Sequence, residues 1–189
     1  MRFFDNFIHN EAQDKIEHAM FKMPWYFNTV DDDIKTISND NAPYFVNLLG
    51  CEAHGTTADD IKPFVPLIIQ LEKVTGKSYS DRIVRVKANL YTKRNEFPED
   101  AYHKPHLDLY NKDTDLGDEG EIFLYYVNTA DGDTFFFNEK KQGQKDYTIN
   151  KRVPHIKGAA MLFDNTIVHA SSSPRFSEYR MNINFVFKK

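Results

Sequence analysis

At Ile83 the sequence changes period, and that change narrows what the chain can fold into. Val84, Val86, Ala88 and Leu90 alternate with Arg85, Lys87, Asn89 and Tyr91, the pattern of a strand with one apolar face. Ile122 to Asn128 (IFLYYVN) predicts a further strand, turned by Asp131-Gly132 into Thr134-Phe135-Phe136-Phe137. Asn138 to Asn150 is polar and expected to be exposed. Gly158 to Phe163 reads as a buried strand, Asp164-Asn165 as a turn, Ile167-Val168-His169 as another strand, and Tyr179 to Phe187 as a long alternating one. About eight strands behind a helical segment give an α+β, mainly β fold, a jelly roll backed by N-terminal helices.

Residues 1–80 read mostly as helical support. Phe3, Phe4, Phe7 and Ile8 form an apolar lead-in suited to an edge strand. Asn10 and Gln13 have capping-box spacing, and Ala12, Ile16, Ala19, Met20 and Met23 follow at helical spacing up to Pro24. Trp25 and Phe27 are expected to pack on the sheet. Asp31-Asp32-Asp33 reads as a solvated turn, since three consecutive carboxylates cannot face one ion. A short helix is expected from Tyr44 to Leu49, closed by Gly50. Thr57, Asp59 and Asp60 lead into a second helix at Phe64 to Leu71, confined by Pro63 and Pro66 and ended by Gly76. His9, His18 and His54 are placed on the surface.

At 189 residues the chain suits one domain, 1–189, with its β core at 83–187. The net charge of −4 is evenly spread, which argues against a nucleic-acid surface. No apolar run is long enough to cross a membrane, and the N-terminal residues lack a signal-peptide pattern. A lone cysteine, Cys51, suits a reducing compartment, and a cytoplasmic location is expected.

The chemistry centres on His106-Leu107-Asp108. In extended backbone, residues i and i+2 share a face, so His106 and Asp108 can grip one ion while Leu107 packs the other way. An imidazole and a carboxylate suit a divalent first-row metal, iron(II) in particular when a second His completes a facial triad. A His closing an apolar strand is by itself more often structural than a ligand. His169, however, has the His-x-Asp pair upstream and Arg180 eleven residues downstream. The last strand puts Arg180, Asn182, Asn184 and Val186 on one face. An inward guanidinium needs an anion, and its planar fork matches a carboxylate.

The set His106-x-Asp108, His169 and Arg180 resembles the signature of the iron(II)- and 2-oxoglutarate-dependent dioxygenases, and within them the prolyl 4-hydroxylase branch. Tyr126-Val127-Asn128, the apolar strand after Asp131-Gly132, and Gly158 to Phe163 are similar to segments of that branch. The likeness covers roughly Ile83 to Phe187. It implies a double-stranded β-helix, with His106, Asp108 and His169 as iron ligands. Arg180 would bind the distal carboxylate of 2-oxoglutarate, with a hydrogen bond from Tyr126 and with Asn184 beside the same carboxylate. Leu124 would line the methylene chain, and Tyr91 is a further co-substrate candidate. The sequence departs from the branch at Asp131-Gly132, where two glycines are frequent, and at Ile122, where a Thr is common. The implied reaction uses dioxygen, with ascorbate as a supporting reductant, and hydroxylates a C–H bond while releasing succinate and carbon dioxide. Asp108 favours hydroxylation, because related halogenases lack that carboxylate. The favoured substrate is a prolyl residue in a protein or peptide. The alternatives are a small molecule or free amino acid on the same scaffold, or a non-catalytic, cupin-like metal- or ligand-binding module. His103 is expected in a substrate loop or on the surface. The polar stretches 92–105 and 110–120 are candidate lids over the substrate.

Overall fold

The computed structural model describes residues 1–28, 44–51 and 61–189. Asp31-Asp32-Asp33, His54, Thr57, Asp59 and Asp60 lie outside the described residues. The chain forms strand β1 (Arg2–Phe4), helix α1 (Asn10–Lys22), β2 (Tyr26–Asn28) and β3 (Tyr44–Cys51), then helix α2 (Val65–Thr75). Next come β4 (Ile83–Thr92), β5 (Tyr110–Asn111), β6 (Leu116–Gly117), β7 (Gly120–Tyr126) and β8 (Ala130–Phe137). The last four are β9 (Ile149–His155), β10 (Ala160–Asp164), β11 (His169–Ser171) and β12 (Tyr179–Lys188). A seven-stranded antiparallel sheet runs in the order β1-β10-β7-β12-β4-β3-β2, and it faces a three-stranded sheet ordered β11-β8-β9. This is the expected helix-backed double-stranded β-helix.

Alternation sets the two faces of the large sheet. Val86, Ala88, Phe123, Tyr125, Met181, Ile183 and Phe185 join Ile16, Met20, Leu67 and Leu71 of the helices in one core. Ile122, Leu124, Tyr126 and Val186 point the other way and meet Phe136 and Val153 of the small sheet. Gly76 ends α2 in the left-handed region at φ 70, and its N–H donates to Glu72 O at 2.8 Å, as its place in the sequence predicts.

Several local expectations are overturned. Tyr44 to Leu49 is strand rather than helix, because β-branched and aromatic residues there pair with β4. Asn10 is helical and does not cap; His9 is the N-cap. Gln13 is buried and donates instead to Ile8 O at 2.7 Å and to Asn6 Oδ1. Asp131-Gly132 lies inside β8 at a register irregularity, and the turn falls before it. Ile149 to His155, expected as part of a polar loop and its sequel, forms strand β9; its mostly exposed residues hide the alternation. Phe27 is 59% exposed on β2, whereas Trp25 packs on the core and donates to Met20 O at 3.1 Å.

Candidate metal and co-substrate site

His106 and His169 are joined backbone to backbone by an isolated antiparallel bridge, His106 N to His169 O at 2.9 Å and the reverse at 3.1 Å. The His-x-Asp segment is thus extended but is not a full strand. Leu107 turns away into a cluster with Phe135 and Phe137, as the i, i+2 rule requires. The side chains of His106, Asp108 and His169 converge, with one potential ligand atom from each within 4.8 Å of the others. Phe163 stands edge-on to the His169 ring at 5.0 Å, which shields that side from water.

Hydrogen bonds fix which imidazole nitrogens face the centre. His106 Nδ1 lies 3.0 Å from Lys104 O and His169 Nδ1 lies 3.2 Å from Ile167 O. A carbonyl only accepts, so each Nδ1 is turned outward to donate there and each Nε2 is turned toward the centre. Burial, and then the His169 ring, push the His106 pKa down to about 4, so the ring is neutral at neutral pH. The side chain of Asp108 is 2% exposed. Burial alone would raise its pKa, but the hydrogen bond and charge of His169, and then Arg85, hold it well below the ordinary carboxylate value. Asp108 Oδ1 receives Arg85 Nη2, while Oδ2 receives Asn184 Nδ2 at 3.0 Å and lies 3.4 Å from His169 Nε2. Two imidazoles and one carboxylate converging from the protein side fit a divalent ion such as iron(II).

The other end of the cavity is built around Arg180, which has no exposed surface. Its Nε donates to Gly132 O at 2.8 Å and its Nη2 to Thr134 Oγ1 at 3.1 Å, while Nη1 is buried without a partner. Burial depresses the Arg180 pKa, and Tyr91 and Tyr126 partly offset this. A Cβ on residue 132 would stand 2.8 Å from Arg180 Cδ, so glycine is needed for the guanidinium to pack there. Tyr126 Oη donates to Thr134 Oγ1 at 2.7 Å, so Thr134 accepts from both Tyr126 and Arg180. An orphaned, desolvated Nη1 facing a cavity is the donor that a carboxylate would satisfy. Tyr91 lies opposite Arg180 in register with its ring 5.3 Å from the guanidinium carbon, and burial and then Tyr44 push its pKa up to about 12. Leu124 lines the same cavity, opposite Asn184 in register.

The structure therefore brings His106, His169, Arg180, Leu124 and Tyr91 together around one cavity, with Asp108 beside the two histidines. Tyr126 stands behind Thr134 rather than on the cavity wall, its hydroxyl committed to Thr134. Asn184 departs from its expected place: it holds Asp108, four residues along β12 from Arg180, not the Arg180 end. Sequence reasoning missed Thr134, Arg85 and Lys87. The alternation along β4 already put Arg85 and Lys87 on the face of Tyr91; only the apolar face was read as structurally informative. His103 lies in the loop between β4 and β5, as expected, but its side chain turns inward: its ring stacks on Tyr91 at 5.2 Å and its Nε2 meets Ser173 Oγ at 3.1 Å. The candidate lid stretches make contacts with the barrel at their margins. Arg152 reaches Asp100 Oδ1 at 2.9 Å, and Asn165 binds Leu109 N, Leu109 O and Asp118 O at 3.0, 2.9 and 2.9 Å.

No family model and no curated protein sequence matches the chain. Solved structures do. An oxidoreductase of the 2OG-Fe(II) oxygenase family from Burkholderia pseudomallei superposes with TM-score 0.65 at 15% identity, over 98% of this chain and 84% of that one. A prolyl hydroxylase from Trichoplax adhaerens, in complex with a hypoxia inducible factor oxygen degradation domain peptide, gives 0.61 at 12% identity, over 99% and 83%. The non-heme alpha ketoglutarate dependent epimerase SnoN from nogalamycin biosynthesis gives 0.63 at 9%, over 99% and 77%. At these identities the likeness establishes the fold, the double-stranded β-helix shared by 2-oxoglutarate/Fe(II) oxygenases. Among the described residues, no helix is long and apolar enough to cross a membrane.

Proposed function

We propose that this chain is an Fe(II)- and 2-oxoglutarate-dependent oxygenase that hydroxylates a C–H bond. One observation carries the reading: a two-His, one-Asp cluster and a buried arginine with an unpartnered Nη1 face the same cavity. In this reading His106 Nε2, Asp108 Oδ2 and His169 Nε2 hold iron, and the bound metal supplies the redox chemistry that couples dioxygen to oxidation of substrate and co-substrate. Arg180 binds the distal carboxylate of 2-oxoglutarate. Thr134 and Tyr126 hold the guanidinium wall in place, and Leu124 and Tyr91 flank the chain of the co-substrate. Arg85 and Asn184 orient the Asp108 carboxylate from behind. Phe136 and Phe163 keep water from the His169 side of the centre.

The substrate proposed first is a prolyl residue in a protein or peptide, by likeness to the Trichoplax enzyme and to the branch motifs. A second reading, a hydroxylase of a small molecule, is favoured by the cavity itself. Its empty space, counted out to the open mouth, is about 440 Å³, and a lysine with no ion-pair partner among the described residues lines it. The test is succinate formation with iron(II), ascorbate and 2-oxoglutarate, with and without a proline-rich peptide pool. Succinate that disappears in His169→Ala and Arg180→Ala, and that rises with peptide, supports the prolyl reading. Succinate indifferent to peptide keeps the oxygenase and turns the search to small molecules. A folded, iron-loaded protein that makes none across varied substrates refutes the reading in favour of a binding module.

A further inference from the structure

The barrel face of β4 carries two cations that are matched differently. Arg85 is paired with Asp108. Lys87 has no hydrogen bond or ion pair among the described residues, and its Nζ lies 6.0 Å from the centre of the Tyr44 ring. A half-buried ammonium on a cavity wall loses hydration, and a long contact with one aromatic face offsets only part of that loss, so an anion is still called for. The other positive groups here have partners in the oxygenase reading: Arg180 takes the distal carboxylate of the co-substrate, and the metal takes Asp108 and the other end of the co-substrate. Lys87 is the cation left over.

Its position separates it from the co-substrate's distal carboxylate. Tyr91 stands opposite Arg180, and Lys87 stands opposite Asn184, which holds Asp108 at the metal end. Those two levels are four residues apart along the strand, about 13 Å at roughly 3.3 Å per residue. The ammonium also leans toward Tyr44 on β3, the side of β4 away from β12. Around it stands a built wall. The Tyr44 and Tyr91 rings stack at 5.1 Å and 11°. Between Lys87 and Tyr91 on the same face lies Asn89, 5% exposed, whose Nδ2 donates to Asn182 Oδ1 at 2.9 Å and whose Oδ1 is buried without a partner. A carbonyl oxygen left in that state calls for an N–H or O–H donor.

The geometry points to Lys87 as the anchor for a carboxylate on the molecule that is oxidised. Asn89 Oδ1 receives a neighbouring N–H or O–H of that molecule, and the Tyr44–Tyr91 stack forms its flat wall. The substrate class is a small carboxylic acid carrying a hydrogen-bond donor, of which free amino acids are the simplest members. This inference rests on the oxygenase reading and takes its second substrate, a small molecule, in place of a prolyl residue in a peptide.

The experiment is calorimetric titration of the twenty L-amino acids and their carboxamides into protein loaded with zinc(II), a redox-silent stand-in, and 2-oxoglutarate. At least one acid is expected to bind tenfold or more tightly than its own amide. Lys87→Met and Lys87→Gln should reduce that preference below twofold, Lys87→Arg should keep it, and the Kd of 2-oxoglutarate should move less than twofold in all three. Melting curves identify any variant that is not folded. The inference is overturned if no acid is preferred to its amide. It is also overturned if the neutral variants weaken 2-oxoglutarate itself tenfold, which would give Lys87 to the co-substrate. If an acid binds through Lys87 while the wild-type protein never binds 2-oxoglutarate, the carboxylate subsite stands and the oxygenase reading falls.

Discussion

Strands β4, β7 and β12 present two faces that follow opposite rules. Toward the helices they offer Val86, Ala88, Phe123, Tyr125, Ile183 and Phe185, packed into one apolar core. Toward the barrel, one residue along in each case, they offer Arg85, Lys87, Asn89, Tyr126, Arg180, Asn182 and Asn184. A fully buried arginine and a row of buried asparagines would be expensive in an ordinary core. Here the helix-backed face supplies apolar burial through the same strands, so the barrel face can hold unmatched polar groups where ligands are to bind. The lesson is a division of labour at the period of the pleat: stability on one side, recognition on the other.

The largest effects should come from the barrel face and leave the fold standing. His106→Ala is expected to abolish stoichiometric metal binding, read by metal analysis after dialysis, while far-UV circular dichroism stays that of the wild type. Stoichiometric retention of metal would break the assignment of that face to ligand binding. The mirror experiment is Phe185→Ala. Phe185 has no exposed surface, and its truncation should cost about 3–5 kcal/mol in denaturant unfolding. The protein that remains folded should bind 2-oxoglutarate within twofold of wild type. A large fall in that affinity would show that the two faces are coupled and that the division is too sharp.

Arg85 tests the boundary inside the barrel face, because it touches a proposed ligand and not the ion. Arg85→Met should weaken metal affinity about 10- to 100-fold, the usual effect of losing a group that orients a ligand. Competition with a fluorescent chelator measures it. An affinity within twofold of wild type would mean that Asn184 alone orients Asp108.

How far all this was legible depends on whether one face of an element meets water. β4, β7 and β12 each have a fully apolar face on the helices, so period two was plain, and with it the fold and the inward placement of Arg180 and Tyr91. The spacing of His106 and Asp108 carried the metal cluster. Ile149 to His155 was illegible as a strand because it lies at the edge of the small sheet with most residues exposed. Tyr44 to Leu49 was ambiguous in period and was decided by pairing with β4, which no local pattern encodes. Asn184 was assigned to the correct face and the wrong end, since alternation fixes a face but not what stands across the barrel. Thr134 and His103 depended on contacts between sheets and loops, and only the assembled barrel brings those together.

The smallest expected effect lies at the rim, where a carboxylate serves structure rather than recognition. Asp131 accepts backbone N–H groups from Arg175 at 2.8 Å, Phe176 at 3.1 Å and Ser177 at 2.8 Å, and so ties down the loop that delivers Arg180 to β12. Burial pushes the Asp131 pKa up, but these hydrogen bonds outweigh it and bring the pKa down from 3.8 to about 2. A carboxylate depressed in the folded state stabilises wherever it is ionised. Its contribution is therefore complete above about pH 4 and is lost as the pH falls toward about 2. Screening at the partly solvated rim reduces the contribution, and Asp131→Asn should cost about 1 kcal/mol at pH 7. The wild-type and variant stabilities, followed by urea unfolding from pH 7 downward, should converge near the bottom of that window. A gap that persists unchanged at pH 2 would show that the asparagine fails for reasons of shape, and that charge at Asp131 does not hold the loop.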